Sequence, residues 1–233
     1  DFPAWGTGGV AGGEDSVSPP GSVSSFQVYD DLLALLTDRK RFPALRRIVL
    51  AGHSGGAVLV QQFAALNRFD EKVRAAGIEI RYVVANSSAF LYFNDQRPSG
   101  DGFSAYDSVL CPTYNDHRYG FSKIVRYAMS DAPAEVYRRY MERNVFYLFG
   151  TNDVDPNHSA LDKSCAAVAQ GRHRLERGRG YLRHERALAN ASRIAGIHRS
   201  FEVLGVGHDQ QAMFGSVCGA RILFDATSNE SMN

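Results

Sequence analysis

Short apolar runs rich in β-branched and aromatic residues recur along the chain, separated by longer and more polar stretches. Four of these runs have the length and composition of buried β-strands, and they end near Ala51, Ala85, Phe149 and Leu204. Each is followed at once by Gly or Asn, residues that favour a turn. The pattern therefore predicts four strands, each leading into a loop.

Apolar residues at helical spacing occupy much of the sequence between these strands. Ser24 and Ser25 are suitable N-caps for a first helix, which we expect to end near the Phe42-Pro43 break. Further helices are predicted over residues 57–66, 134–143, 159–169 and 180–194. The segment Asp1–Gly21 is rich in Gly, Pro and Ser and predicts a loop rather than a helix or strand.

Residues 90–133 keep neither the helical spacing of apolar residues nor the alternation of a strand for long. Aromatic residues stand here among Gly, Asp and Asn, namely Tyr92, Phe93, Phe103, Tyr106, Tyr114, Tyr119, Phe121 and Tyr127. Aromatic side chains interleaved with polar ones suit a lid or cover over a pocket that takes an aryl or acyl group. Loops pinned to the sheet by their aromatic side chains would give the same pattern, so both interpretations stay open.

The turn after the first strand carries the most specific chemistry in the chain. It reads Gly-His-Ser-Gly-Gly over residues 52–56, with Ser54 at its centre. A serine at the apex of a tight strand-to-helix turn is strained and exposed, and the glycines on either side let strand and helix approach closely. The N–H of Gly55 can donate to an oxygen that gains negative charge. A phosphate-binding turn explains the residues less well, because the P-loop lysine and the spacing of the dinucleotide fingerprint are missing.

This arrangement resembles the α/β-hydrolase superfamily, in which the catalytic residues follow in the order serine, acid, histidine. The resemblance implies an α/β fold with a mostly parallel sheet flanked by helices, formed by one domain over residues 1–233. It implies an acid on the loop after a later strand, where Asp153 stands, and a histidine near the C-terminus, where His208 stands. The implied roles are nucleophile for Ser54, general base for His208 and orienting carboxylate for Asp153.

Other carboxylates and histidines compete for these roles. Asp155 lies on the same loop as Asp153; the Gly-x-x-Asp spacing favours Asp153, although both carboxylates would also suit a turn before Pro156. His53 is expected to pack beside the nucleophile. The remaining histidines are expected to be exposed or structurally bonded, and they are His117, His158, His173, His184 and His198.

Length and charge fit a globular enzyme. The chain has 233 residues, 44% of them hydrophobic, which is enough for one sizeable core. Its 26 basic and 25 acidic residues leave a net charge of +1, so we expect no general attraction to nucleic acid or to anionic membranes. The basic stretch 172–179 is then expected to form a solvated helix face or intramolecular ion pairs.

Membrane, metal and cofactor signals were sought as well. No apolar run approaches the length of a membrane helix and no signal-type start is present, so we expect a soluble protein, cytoplasmic or secreted, of undefined oligomeric state. The spacings His-Glu-x-x-His and Cys-x-x-Cys do not occur, and no metal or other cofactor is expected. Of the three cysteines, Cys111 and Cys165 are one candidate disulfide pair, while buried free thiols are equally ordinary.

The chain departs from the superfamily pattern before its first strand. Members of the family carry several strands ahead of the nucleophile strand, and a loop after one of them donates the second N–H of the oxyanion hole. Too little sequence precedes Arg46 for these strands, so we expect a chain truncated at its N-terminal side. Alternatively, the Gly-rich segment Trp5–Gly9 folds back and supplies the second amide.

These observations favour a serine hydrolase of carboxylesterase type, which cleaves a small-molecule ester or a similar carbonyl bond through an acyl-enzyme on Ser54. An acyltransferase or an amidase would use the same three residues. The alternative from another class is an inactive, hydrolase-like fragment that binds without catalysis. Nucleotide binding at the turn is disfavoured by the motif spacing.

Overall fold

The computed structural model describes residues 2–6, 8–195 and 198–224. Within these ranges the strands are β1 (Asp15–Val17), β2 (Pro20–Ser24), β3 (Arg47–His53), β4 (Glu79–Ala85), β5 (Gln96–Ser99), β6 (Gly102–Ala105), β7 (Val145–Gly150) and β8 (Arg199–Val203). The helices are α1 (Gly9–Gly12), α2 (Ser25–Leu36), α3 (Gly55–Leu66), α4 (Asp70–Ala75), α5 (Pro133–Met141), α6 (Cys165–Val168), α7 (Arg174–Ser192), α8 (Gln210–Gly215) and α9 (Val217–Phe224). A 3₁₀ turn covers Arg126–Ala128.

The central sheet contains β3, β4, β7 and β8 in that order, and every neighbouring pair is parallel. These are the four strands that the sequence predicts, so that prediction is confirmed. Because the strands are parallel, the loops that follow all four of them lie at the same edge of the sheet. The hairpins β1–β2 and β5–β6 are antiparallel and lie outside this sheet.

Both faces of the sheet are covered, as the nearly continuous apolar sequences of β4 and β7 require. Alternate residues of these strands point into a large core shared with α2, α3, α5 and α7, and they are Ile80, Tyr82, Val84, Val145, Tyr147 and Phe149. The residues between them face a smaller core that includes Met213 of α8 and Ile222 of α9. This layering holds the carboxyl edge of the sheet rigid.

Helix predictions succeed where a cap or a long apolar period marks the element. The side chain of Ser24 accepts a hydrogen bond from the N–H of Phe26 at 3.2 Å and so caps α2. The predictions over 57–66 and 134–143 match α3 and α5 closely, and the prediction over 180–194 covers only the second half of α7. The prediction over 159–169 is wrong for its first half, because Ser164 caps a helix that begins only at Cys165.

The loop predicted for Asp1–Gly21 is wrong in part, because α1, β1 and the start of β2 lie within it. Polar contacts rather than an apolar pattern hold this hairpin. The buried hydroxyl of Ser16 donates to the carbonyl of Pro19 at 2.6 Å and accepts from the N–H of Ser22 at 3.2 Å. Such local side-chain bonds leave no periodic signal in the sequence.

The segment 90–133 contributes side chains to the large core at its start and, farther along, lines a cavity beside Ser54. Phe90, Tyr92 and Phe93 are buried in the large core. Farther along, Cys111 forms a disulfide with Cys165, which confirms that candidate pair, and Cys218 is a free, half-buried thiol. That the segment covers a substrate pocket stays a prediction.

Candidate active site

Ser54 lies at the apex of the turn between β3 and α3. Its φ of 57° and ψ of −118° lie in a region that a non-glycine residue rarely adopts. The backbone holds this conformation from both sides: the N–H of Ser54 donates to the carbonyl of Ala85 at 3.1 Å, and its own carbonyl accepts from Ala57 at 3.1 Å. The strained turn presents the hydroxyl at the carboxyl edge of the sheet.

Gly52 and Gly56 are the two glycines expected to let β3 and α3 approach closely. The room for a Cβ atom requires glycine at only one of these positions. A Cβ at Gly52 would come within 2.1 Å of the carbonyl oxygen of Gly56, so no larger residue fits there. A Cβ at Gly56 would meet nothing within 4 Å. The expectation is therefore met at Gly52 and wrong at Gly56.

The structure brings Ser54, His208 and Asp153 together in one hydrogen-bonded chain. The Nε2 atom of His208 lies 3.0 Å from Ser54 Oγ, and its Nδ1 atom lies 2.8 Å from Asp153 Oδ2. A tautomer with the hydrogen on Nδ1 satisfies both bonds, because Nδ1–H donates to the carboxylate and Nε2 accepts from the hydroxyl. Asp155 is exposed and instead accepts from the N–H of Asn157 at 2.8 Å, as a turn former does.

The second oxygen of Asp153 has a partner that the sequence analysis did not identify. Arg174 Nη1 donates to Asp153 Oδ1 at 3.3 Å, and Arg174 Nη2 donates to the carbonyl of Ala160 at 2.6 Å. Asp153 is 3% exposed and Arg174 is 1% exposed. The buried ion pair and the further hydrogen bond of Arg174 fix both side chains in position.

The basic stretch 172–179 thus divides into exposed and buried residues. Arg172 pairs with Glu176, and Arg179 pairs with Glu202, at the surface as expected. Arg174 and Arg177 are buried instead. Sequence alone does not indicate this burial, because a guanidinium is rarely buried and the helix predicted over 180–194 begins after the start of α7.

His208 lies between two further imidazoles. Its ring centroid is 4.5 Å from that of His53 and 4.8 Å from that of His158. Burial lowers the pKa of His208, and the hydrogen bond to Asp153 opposes that change. Burial, with the neighbouring His208, also lowers the pKa of His53 to about 4. Burial thus favours the neutral form of both rings.

The other histidines lie in structural positions away from Ser54. His117 Nε2 lies 2.6 Å from the carbonyl oxygen of Gly12, and the side chain of His173 caps α7. His184 is buried against Tyr92, and burial lowers its pKa to about 3. His198 is buried beside a glutamate and is considered in the Discussion.

Asn86 connects the loops that carry the three residues. Its Oδ1 accepts from the N–H of Gly150 at 2.8 Å, and its Nδ2 donates to the carbonyl of Gly207 at 3.0 Å. The same Nδ2 lies 3.4 Å from His53 Nε2. The sequence marks Asn86 only as a polar residue at a strand end, since all three contacts are distant in the chain.

A cavity of about 450 Å³ opens beside Ser54. Ser54, Gly55 and Val58 line one side of it, and Gly8 from the N-terminal segment also lines it. The N-terminal segment thus folds back to the nucleophile turn, although Thr7 lies outside the described residues. Another cavity of about 440 Å³ lies around Asp15 and includes none of the three hydrogen-bonded residues.

Two further classes of site were sought in the part of the chain that the structure describes. No three histidine, cysteine or acidic side chains lie together as a metal site would need. None of the described helices has both the length and the apolar character to cross a membrane.

The parallel sheet, its covering helices and the serine at the strained turn after β3 together define an α/β-hydrolase fold. Two solved structures share it. Poly(aspartic acid) hydrolase-1 from Sphingomonas sp. KT-1 matches with a TM-score of 0.63 and 20% identity, over 92% of this chain and 70% of its own. LpqC, the poly(3-hydroxybutyrate) depolymerase from Bordetella parapertussis, matches with a TM-score of 0.62 and 19% identity, over 93% of this chain and 64% of its own.

The comparison establishes the fold and goes no further at these identities. The chain spans less than two thirds of the length of the depolymerase. No family model matches the chain, and no curated protein matches it.

Proposed function

We propose that the protein is a serine hydrolase that cleaves a carboxylic ester, as a carboxylesterase does, through an acyl-enzyme on Ser54. The observation that carries this proposal is the continuous hydrogen-bonded chain from Ser54 through His208 to Asp153, with distances of 3.0 and 2.8 Å, beside a cavity. The proposal is also supported by the two proteins that share the fold, one named a hydrolase and the other a depolymerase.

In the acylation step, Ser54 Oγ attacks the carbonyl carbon of the ester while its proton passes to His208 Nε2. The carbonyl π electrons move to the oxygen, which becomes an oxyanion. When this intermediate collapses, the bond to the leaving alkoxide breaks and His208 returns the proton to that alkoxide. The products of this step are the free alcohol and the acyl-enzyme.

In the deacylation step, water takes the place of the alcohol. His208 removes a proton from the water, the hydroxide attacks the acyl carbon, and the proton returns to Ser54 Oγ as the acid leaves. Asp153 holds the Nδ1–H tautomer and stabilises the imidazolium in both steps. Arg174 keeps Asp153 in place through its second oxygen.

The oxyanion is assigned two donors. The N–H of Gly55 is at the first position of α3, where backbone N–H groups have no partner within the helix and the helix dipole favours negative charge. The second donor in this proposal is an amide of the segment Trp5–Gly9, because Gly8 lines the same cavity as Ser54 and Gly55. Loss of one such donor typically costs about 100- to 1,000-fold in kcat.

A fluorophosphonate probe and 4-nitrophenyl esters test the proposal together. We expect the wild-type protein to be labelled and to hydrolyse 4-nitrophenyl acetate and butyrate, and Ser54→Ala to lose labelling and about 10⁶-fold in kcat. Ser130→Ala is the matched control, because Ser130 is exposed and its hydroxyl contacts Arg68 at the surface. It should retain both signals.

Each other outcome has a defined meaning. A folded wild-type protein that is not labelled contradicts the proposal and favours the non-catalytic alternative. Labelling with faster turnover of a matched 4-nitroanilide than of the ester would assign an amidase. Transfer of the acyl group to an added alcohol in preference to water would assign an acyltransferase.

A further inference from the structure

The cavity beside Ser54 has one basic side chain in its wall. Arg118, from the segment 90–133, lines it on the side of Gly8, and Asp162 is the acidic residue among the described residues that line it. All other described lining residues are uncharged. The proposed hydrolase reaction needs no cation at this place, so the position of Arg118 calls for an explanation.

Arg118 is held in place at both ends. Its backbone carbonyl accepts from Gln62 Nε2 of α3 at 3.1 Å, and its Nη1 donates to the carbonyl of Gly8 at 3.0 Å. The guanidinium lies directly against Gly8, where an added Cβ would come within 2.8 Å of Nη1. The side chain is therefore positioned before any ligand arrives, which lowers the entropy lost on binding.

The guanidinium nevertheless keeps most of its binding capacity. It carries five N–H donors, and the contact to Gly8 uses one of them. No carboxylate of the described residues forms an ion pair with Arg118, whereas Arg174 pairs with Asp153 in the same region. A planar group with free donors and full charge suits a carboxylate, which it can bind through two parallel hydrogen bonds.

The charge of Asp162 acts on Arg118, but among the described residues no hydrogen bond or ion pair joins the two side chains, because the carboxylate of Asp162 accepts other hydrogen bonds. Its Oδ2 accepts from the hydroxyl of Tyr119 at 2.7 Å and its Oδ1 accepts from the N–H of Ser164 at 2.9 Å. Burial opposes ionisation of Asp162, but these hydrogen bonds, with the charge of Arg118, lower its pKa. The buried Arg177, which is not among the described residues that line the cavity, donates to the backbone carbonyl of Asp162 at 2.9 Å and places a positive charge behind this wall.

From this arrangement we infer that Arg118 is a specificity-determining residue that binds a carboxylate of the substrate. The substrate class is then a carbonyl compound cleaved at Ser54 that carries a second, ionised carboxyl group, such as the half-ester of a dicarboxylic acid. The inference rests on the proposed function, since it describes what the same cavity selects.

The test compares two esters that differ in one charge. The anionic ester is 4-nitrophenyl hydrogen adipate, and the neutral one is its methyl ester. The corresponding pair of suberate esters has a longer chain between the carbonyl that is cleaved and the second carboxyl group. We expect the wild-type kcat/KM to favour the anionic ester, and Arg118→Gln to lower the ratio of anionic-ester to neutral-ester kcat/KM about 10- to 100-fold. Arg118→Lys should keep part of the preference, because it retains the charge but not the planar donors.

A surface variant and a binding measurement separate specificity from other effects. Arg138→Gln removes the same charge from an exposed position on α5, where Arg138 contacts Glu135 and Glu142, and it should leave both esters unchanged. Free adipate should slow fluorophosphonate labelling of Ser54 in the wild-type protein and not in Arg118→Gln.

Failure of the inference is distinct from failure of the proposed function. Equal kcat/KM for the charged and neutral esters in the wild-type protein would overturn the role of Arg118 and leave the hydrolase proposal intact. A preference that survives in Arg118→Gln would overturn it as well. Absence of turnover and labelling with every ester would instead contradict the proposed function, and with it this inference.

Discussion

Two histidines of this chain each contact a buried carboxylate, and they differ in what their second nitrogen faces. His208 Nδ1 lies 2.8 Å from Asp153, and its Nε2 lies 3.0 Å from the hydroxyl of Ser54. His198 Nδ1 lies 3.0 Å from Glu185, and its Nε2 lies 2.9 Å from the backbone carbonyl of Tyr140. The first pair is hydrogen-bonded to Ser54, which lines a cavity, and both members of the second pair are buried.

A histidine–carboxylate pair alone therefore does not mark a catalytic site. Each nitrogen of His198 faces an oxygen acceptor, so neither is placed to take a proton from a nucleophile. Its contacts join α7, α5 and the start of β8. His208 has the same first contact, but its second nitrogen faces a group that can donate a proton and react.

The largest expected difference between the two pairs comes from removing each imidazole. His208→Ala should lower kcat by about 10⁶-fold, since the nucleophile loses its base. It should change the free energy of unfolding little, because Arg174 still pairs with Asp153. His198→Ala should lower the free energy of unfolding by roughly 3 kcal/mol, because it leaves Glu185 buried without its partner. Ester turnover and urea unfolding of both variants measure the two effects.

The opposite pattern would contradict this comparison. If His198→Ala lost activity at full stability, or His208→Ala unfolded while its residual protein stayed active, the catalytic and structural roles would be exchanged. Turnover is compared per folded molecule, with the folded fraction measured by circular dichroism.

The next largest effect is expected at the carboxylates. Asp153→Asn should lower kcat by roughly 10⁴-fold, because an amide beside Nδ1 favours the wrong tautomer of His208. Asp155→Asn makes the same carboxylate-to-amide change at a neighbouring position on the loop. It should have little effect, since the described hydrogen bond of the Asp155 carboxylate is a local one from the backbone. Equal losses in the two variants would show that the loop, and not one carboxylate, is required.

The smallest effect is expected in the pH profile. Catalysis needs neutral His208, and burial lowers the pKa of this group below the ordinary value of 6.5. The acid limb of kcat/KM should therefore lie below pH 6.5. His158 also lowers the pKa of His208, so His158→Gln should move the limb to higher pH. A limb centred above pH 6.5 in the wild-type protein would contradict this assignment.

How much of the molecule was predictable depends on whether the signal is local. Of the four sheet strands, β4 and β7 are buried and mostly apolar, so composition and length identify them, whereas β3 and β8 are largely half-buried or exposed and stand out by their short length and the glycine that ends each of them or follows it. The turn at Ser54 was predictable because its glycine and serine positions follow from backbone geometry. The hairpin of β1 and β2 was missed, since the hydroxyl of Ser16 rather than an apolar period holds it.

Contacts between distant parts of the chain were the least predictable. Nothing near Arg174 in the sequence indicates that it pairs with Asp153, and a buried arginine runs against composition rules. Arg118 stands in a segment without periodicity, and only the fold places it beside Ser54. The expected truncation at the N-terminal side stays a prediction.

The side chain of Asn86 connects three loops at the carboxyl edge of the sheet. Its amide bonds the backbone of Gly150 at the end of β7 and that of Gly207, the residue before His208, and it contacts the ring of His53 beside Ser54. A local opening of one loop must break bonds shared with the others, so the loops unfold together rather than one at a time. Activity should therefore be lost in a single cooperative step as the denaturant concentration rises. The rate of amide hydrogen exchange at Gly150 should change over the same range of concentration.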